Sequence, residues 1–404
     1  MLPTMQRRFA EHVYTPERYA RFRTALEEAV RCPIEFRVCE APIFVSHAFR
    51  RQLEQAAEEI TLQCATARYR ALSERAIPEV YRVPNEPQYP LFAVVDFAVV
   101  REQDEGWGLR LVELQGFPSL FAYQYFYARL ARETYGLEPT WTYTFSNLSD
   151  EQYWDILRRA ILADCAPEEV VLADYRPEQQ KTRPDFTALE HIMGIEAVDI
   201  CSLRKEGKRL FRWRNGSWIP VRRIFNRAIV DELEEYGACL PFRWTDEIEV
   251  EWAGHPNWYF RMSKFALPYL QHPTLPKTYR LSELAEIPDD LSSYVLKPLF
   301  SFAGKGVVLQ PTKEHLEAIP KQEWPFYILQ ERIAYAACIY TPVGMNTVEL
   351  RVMLVWLPEW QRPLPVMALA RTGRAALMGV RYNDMPWAGS SGCLFGERDA
   401  EEKL

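Results

Sequence analysis

The chain has 404 residues, 48% hydrophobic and 25% charged, an ordinary globular composition long enough for two or three packed lobes. A net charge of -7 implies no general affinity for nucleic acid, and the basic stretch at 204–214 alternates with apolar residues as a solvated sheet face does. No run approaches the roughly 18 uncharged apolar residues of a membrane span. The 8 cysteines form no CxxC pair, and the opening MLPTMQRRFAEHVY has no apolar signal core. The expectation is a cytoplasmic protein with reduced thiols and no structural zinc.

In chain order, 16–31 and 47–75 predict helices, because apolar residues recur at three and four spacing with charges between. A Pro-rich connector at 77–90 leads to two strands, 91–100 and 107–114, around the turn signal EQDEG at 102–106. Helices follow at 123–135 and 157–163, the second ended by Pro167. The short apolar strand EVVLAD at 169–174, a helix at 183–193 and a strand at 196–200 make a βαβ unit. No G-x-G-x-x-G fingerprint accompanies it, so it is not read as an NAD domain. A hairpin over 209–219 turns at Asn215–Gly216. Then come a helix at 263–270 and strands at 294–299, 307–310, 326–331, 349–356 and 364–371. The acidic tail at 397–404 reads as frayed.

The segment YVLKPLFSFAGKGVVLQ at 294–310 carries the most chemistry. A lysine inside a buried strand is costly without a partner. Lys297 stands beside a loop whose backbone N–H groups at Gly304, Lys305 and Gly306 can surround phosphate oxygens. The order of parts is neither that of a P-loop, which feeds a helix, nor that of a protein kinase, whose glycine loop precedes its lysine. An ordinary hairpin explains the segment equally well on its own. On the 91–115 hairpin, Asp96 interrupts an apolar strand and Glu113 and Gln115 share a strand face. A turn centred between Asp104 and Glu105 puts Asp96 opposite Glu113. Facing carboxylates repel unless a cation lies between them, and magnesium with its oxygen ligands is the favoured candidate over a solvated edge hairpin.

Other residues are weaker alone. Lys264 reads by itself as a surface lysine with its stem on apolar neighbours. Gln330 and Glu331 end an apolar strand, where backbone groups can meet an adenine edge and a carboxylate can meet a ribose. Arg351 and Arg371 lie within apolar strands and suit a convergent anion site, with salt bridges around Glu349 as the plain alternative. Asn383 and the GSSG run at 389–392, including Ser390 and Ser391, are expected as a loop reaching the same place. Arg183, in the loop after the βαβ strand, and Arg223 and Arg227, after the NG hairpin, are candidates for a substrate carboxylate or for plain solvated loops.

Together these pieces resemble the ATP-grasp superfamily over most of 255–395 plus 91–120. SKFALPYL is similar to its lysine helix, YVLKP…AGKGV to its strand lysine and glycine flap, ILQERI to its hinge, and ELRVMLVW and ALARTGR to its arginine strands. The pattern DFAVV…LVELQGFPSL lies near the N-terminus rather than last, as in the circularly permuted branch of glutathionylspermidine synthetases and eukaryotic-type glutathione synthetases. Gln115 stands where that branch has Asn.

The resemblance implies an α/β (α+β) chain with the ATP-grasp fold in permuted order and a small Rossmann-like lobe. Its divisions would be 1–135, with the helices and metal hairpin, 150–250 as the substrate lobe, and 255–395 as the nucleotide lobes. It implies an ADP-forming carboxylate–amine ligase with ATP and magnesium as cofactors. Lys264, Lys297, Ser301, Gly304, Lys305, Gly306, Gln330 and Glu331 would bind ATP, and Asp96, Glu113 and Gln115 the metal. Arg351, Arg371 and Lys305 would serve the transferred phosphate. The expected partners are small amino-acid or peptide substrates, with a homodimer left open and neither nucleic acid nor membrane. The competing class is a degenerate ATP-binding protein without ligase activity.

Overall fold

The computed structural model describes residues 1–103, 106–300, 305–379 and 382–397. Asp104 and Glu105, the expected turn centre, lie outside the described residues, as do Ser301, Gly304 and the tail from residue 398.

The central sheet joins distant parts of the chain. Its path runs Ile43–Ser46, Gly389–Gly396, Leu364–Gly373, Gly344–Val355, Phe92–Arg101, Trp107–Gln115, with Ile339–Thr341 paired onto the start of the long Gly344–Val355 strand. Only the first of these neighbours, Ile43–Ser46 on Gly389–Gly396, is parallel; the others run antiparallel. The early hairpin thus lies directly beside the late arginine strands, with Asp96 in register with both Glu113 and Arg351. Apolar residues line both faces of the sheet, which is why Phe92–Arg101 reads as a nearly unbroken apolar run. Helix His47–Cys64 covers one face, and helices Pro16–Val30 and Phe121–Thr134 belong to the core on the other. Thr15 and Ser46 start the first two of these helices by accepting the backbone N–H groups of Arg18 and Phe49.

A second sheet is wholly parallel, in the order Glu251–Ala253, Arg223–Asn226, Val170–Asp174, Glu196–Asp199. Helix Arg183–Met193 makes the expected βαβ crossover between the last two strands. The strands at Arg223–Asn226 and Glu251–Ala253 were not expected; each is too short to show periodicity. A third, antiparallel sheet carries Thr278–Arg280, Tyr327–Glu331, Tyr294–Pro298 and Val308–Leu309. The Asn215–Gly216 turn closes the hairpin of a small fourth sheet, with φ of 49° and 82° at the two residues, as a type I′ turn requires.

Three expectations need correction. The helix expected over 47–75 breaks at Ala65, and Thr66 caps a separate helix, Ala67–Ser73. The 263–270 segment is a 3-10 turn, Lys264–Tyr269, because Pro268 lacks the N–H that an α-helix there would use. The GSSG run is no loop: Gly389–Gly396 is an interior strand of the central sheet. Its glycines are there for close approach. A Cβ on Gly392 would come within 2.5 Å of Gln124 Nε2, and one on Gly389 within 2.3 Å of the Arg37 carbonyl oxygen.

Candidate functional site

Four charged residues of the central sheet, Asp96, Glu349, Arg351 and Arg371, meet on one face. Glu349 and Arg351 are two apart and share a face; Arg371 is in register with Glu349, and Asp96 with Arg351. Arg351 donates from Nε to Asp96 Oδ1 and from Nη2 to Asp96 Oδ2, both at 2.6 Å. Arg371 Nη2 donates to Asp96 Oδ2 at 2.6 Å and lies 3.0 Å from Glu349 Oε2. The Tyr335 hydroxyl donates to the other oxygen of Glu349.

Asp96 is only 1% exposed, and burial alone would raise its pKa. The two guanidinium groups outweigh burial and hold it at about 2. For Glu349 the balance reverses. Burial pushes its carboxyl above the usual range against the pull of Arg371.

Glu113 faces the other way along the site. Its carboxylate accepts Gln115 Nε2 at 3.1 Å, and lies 3.9 Å from Arg351 Nη2 and 4.0 Å from Lys264 Nζ. The 3-10 turn that carries Lys264 is held against this hairpin by backbone bonds. Gly116 N donates to Met262 O at 3.1 Å, and Leu111 N to Thr274 O at 2.8 Å. The free edge of Trp107–Gln115 is thereby covered by the lysine-bearing segment. Lys297 reaches in from the third sheet. Its ammonium donates to Gln330 Oε1 at 2.5 Å and approaches the Val112 carbonyl at 3.5 Å. Burial, eased by Glu113 and worsened by Lys264, lowers its pKa to about 8. Gln330 is buried and its Nε2 makes no hydrogen bond with any described residue, while Glu331 is exposed and accepts Lys277 N at 3.2 Å.

The remaining expected residues sit differently. Lys305 is exposed and pairs with Glu235 of the parallel-sheet lobe at 3.0 Å. Gly306 takes a left-handed φ of 72°, which suits a glycine turn. Arg183 forms ion pairs with Glu178 and Glu190. Arg223 caps helix Asp150–Leu162 by donating to the Ile161 and Ala160 carbonyls, both at 2.9 Å. Asn383 organises its own loop, accepting Arg374 N and Ala375 N and donating to Leu377 O and Gly379 O. Ser391 donates to Ala41 O at 2.8 Å, and Ser390 is buried in register with Arg371.

Arg227 is near enough to Arg351 to feel its charge. It is 4% exposed, lies over the rings of Phe117 and Phe186, and bonds Asp185 at 3.3 Å. Burial lowers its pKa, and Arg351 adds to that repulsion, so the two guanidinium groups sense each other. Asp185 accepts the backbone N–H groups of Leu120, Ala122 and Tyr123, which makes it the anion at the start of helix Phe121–Thr134. Asp174, at the C-terminal end of a parallel strand, is pushed up to about 7 by burial, against the pull of Arg227. Sequence reasoning missed Tyr335, Asp174 and Asp185, and named Glu349 only in the salt-bridge alternative, not as a site residue. Only Glu349 left a signal, an acidic residue two before an arginine in an apolar strand.

As folded, Asp96, Glu113 and Gln115 do not fit a magnesium ion. Both Asp96 oxygens already take guanidinium bonds, and Gln115 turns its amide N–H toward Glu113. Among the described residues, no three His, Cys, Asp or Glu side chains are grouped to hold a metal.

No protein-family model matches the chain, and no curated protein does. Among solved structures it is similar to a glutathione synthetase-like effector from Globodera pallida in its apo form. The TM-score is 0.61 at 12% identity, covering 95% of this chain and 98% of that one. The chain therefore shares a mixed α/β fold with that effector. Among the described residues no helix is long and apolar enough to cross a membrane.

Proposed function

We propose that the chain is an ATP-grasp ligase that holds ATP polyphosphate between Lys264 and Lys297. It would activate the carboxylate of an amino acid or small peptide as an acyl phosphate for attack by an amine. One observation carries this reading. Two lysines from different segments converge on one hairpin: Lys297 donates to Gln330 Oε1 at 2.5 Å and approaches the Val112 carbonyl at 3.5 Å, and Lys264 lies 4.0 Å from Glu113. This is a concentration of positive charge that an anion would complete, and burial lowers the Lys297 pKa in keeping with it. Gln330 and Glu331 follow on the adjoining strand, where an adenine and its ribose would lie. Lys305 would leave its exposed pairing with Glu235 to close over the phosphates.

Phosphoryl transfer asks for positioning and charge neutralisation more than for a protein nucleophile. The γ-phosphoryl group passes to a carboxylate oxygen and ADP leaves. The amine lone pair then attacks the acyl carbon, the C–O bond breaks, phosphate departs and the amine loses a proton. Arg351 and Arg371 would meet the terminal phosphate of that polyphosphate and balance the charge of the acyl phosphate it becomes. Arg227, across from Arg351, would hold a substrate carboxylate.

The test is ADP release with pooled amino acids and small peptides, alongside direct ATP binding. Lys297→Ala should lose both; unchanged ATP affinity in that variant would sink the assignment. A second reading, an ATP-binding protein without turnover, is favoured by Asp96, both of whose oxygens are already taken by guanidinium groups. It predicts ATP binding with no ADP release for any acceptor.

A further inference from the structure

Asp96 lies in an apolar strand with Glu113 on one side and Arg351 on the other. Both of its oxygens accept guanidinium bonds. Arg351 closes a two-bond fork at 2.6 Å on each side, and Arg371 adds a third bond at 2.6 Å. A fork of this kind fixes the plane of the guanidinium as well as its place. Arg371 is fixed a second time, by Glu349 at 3.0 Å, and its buried Nε makes no hydrogen bond with any described residue. A magnesium ion on Asp96 would bind at about 2.0–2.1 Å and would have to expel a guanidinium group from a buried carboxylate. We infer that Asp96 is the positioning residue that aims Arg351 and Arg371 at the ligand anion, and that it is not a metal ligand. The nucleotide reading supplies only the identity of that anion. The assignment of Asp96 stands on its three bonds.

The experiment uses the full chain, with pyrophosphate as the probe anion in excess EDTA and, separately, manganese titrated by electron paramagnetic resonance. Asp96→Asn keeps one acceptor but loses the charge and the fork. It should weaken metal-free pyrophosphate binding about tenfold while leaving manganese affinity within about twofold of wild type. Unchanged metal-free binding, or a manganese affinity lowered about tenfold or more, overturns the inference. If Asp96→Asn does not fold, Arg371→Lys decides. A metal-binding Asp96 released from Arg371 would take manganese about tenfold more tightly, which refutes the inference; unchanged manganese affinity upholds it. If wild type fails to bind pyrophosphate at all, the nucleotide reading falls, while the manganese comparison still rules on Asp96.

Discussion

Lys297 and Asp174 show burial acting on opposite charges, with opposite consequences for pH. The Lys297 ammonium titrates at about 8 when folded and near 10.5 otherwise. A bound polyphosphate favours the charged form, so affinity should fall about tenfold between about pH 7 and about pH 9. Calorimetry with pyrophosphate checks this; a flat profile would show that Lys297 does not hold the anion. Stability runs the other way. Between 8 and 10.5 the folded chain binds fewer protons at this site, so stability rises with pH across that window. Asp174 titrates at about 7 when folded against 3.8 otherwise, so the folded chain binds more protons there and stability falls as pH rises between those values. Asp174→Asn keeps the oxygen that accepts Tyr175 N, yet cannot ionise. It should raise urea stability by at least ~1 kcal/mol at pH ~8 and change little at pH ~4. Destabilisation at pH ~8 would mean that Arg227 needs this charge more than burial penalises it. Asp96, Glu113 and Lys297 were legible because each is a charge inside an apolar strand. Asp185 was not, because an acid in the first turn of helix Arg183–Met193 reads as an ordinary cap, whereas it serves the start of another helix.

At the scale of elements, the site depends on how closely the hairpin and the Lys264 turn approach. Gly116 ends the hairpin, and a Cβ there would lie 2.5 Å from the Trp258 carbonyl oxygen, in the helix just before Lys264. Backbone cannot yield as a side-chain tip can, so Gly116→Ala should cost ~1–3 kcal/mol in chemical denaturation. It should also weaken pyrophosphate binding, because the displaced segment carries Lys264. Loss of stability with full affinity would separate the lysine from the anion. The long strands and amphipathic helices could be read from periodicity. Ile43–Ser46 and Glu251–Ala253 could not, since these short strands are set by neighbours elsewhere in the chain. The GSSG strand misled for a related reason. Glycine and serine are turn residues by propensity, and only the close packing of Arg37 and Gln124 on that strand accounts for them.

Across the whole molecule the apolar interior is uneven. Two large clusters fill the opposite faces of the central sheet. The third sheet leans on one of them through Leu299 and Ile328, while its other side has a small core of its own, formed by Leu281, Leu291, Leu296, Leu316, Trp324 and Leu329. Lys305–Glu235 also links it to the parallel-sheet lobe, but exposed pairs of that kind contribute at most ~1 kcal/mol. A sheet so supported should open locally before the rest unfolds. Amide exchange should therefore be faster in Tyr294–Pro298 and Tyr327–Glu331 than in Phe92–Arg101 and Gly344–Val355. If ATP bridges Lys297 and Gln330 on one side and Lys264 on the other, it should slow exchange in the third sheet and leave the central strands nearly unchanged, because ligand binding stabilises what it spans. Mass-resolved hydrogen exchange with and without ATP reads both effects. Equal protection in the two sheets before ATP would contradict the uneven core, and equal slowing after it would place the nucleotide elsewhere.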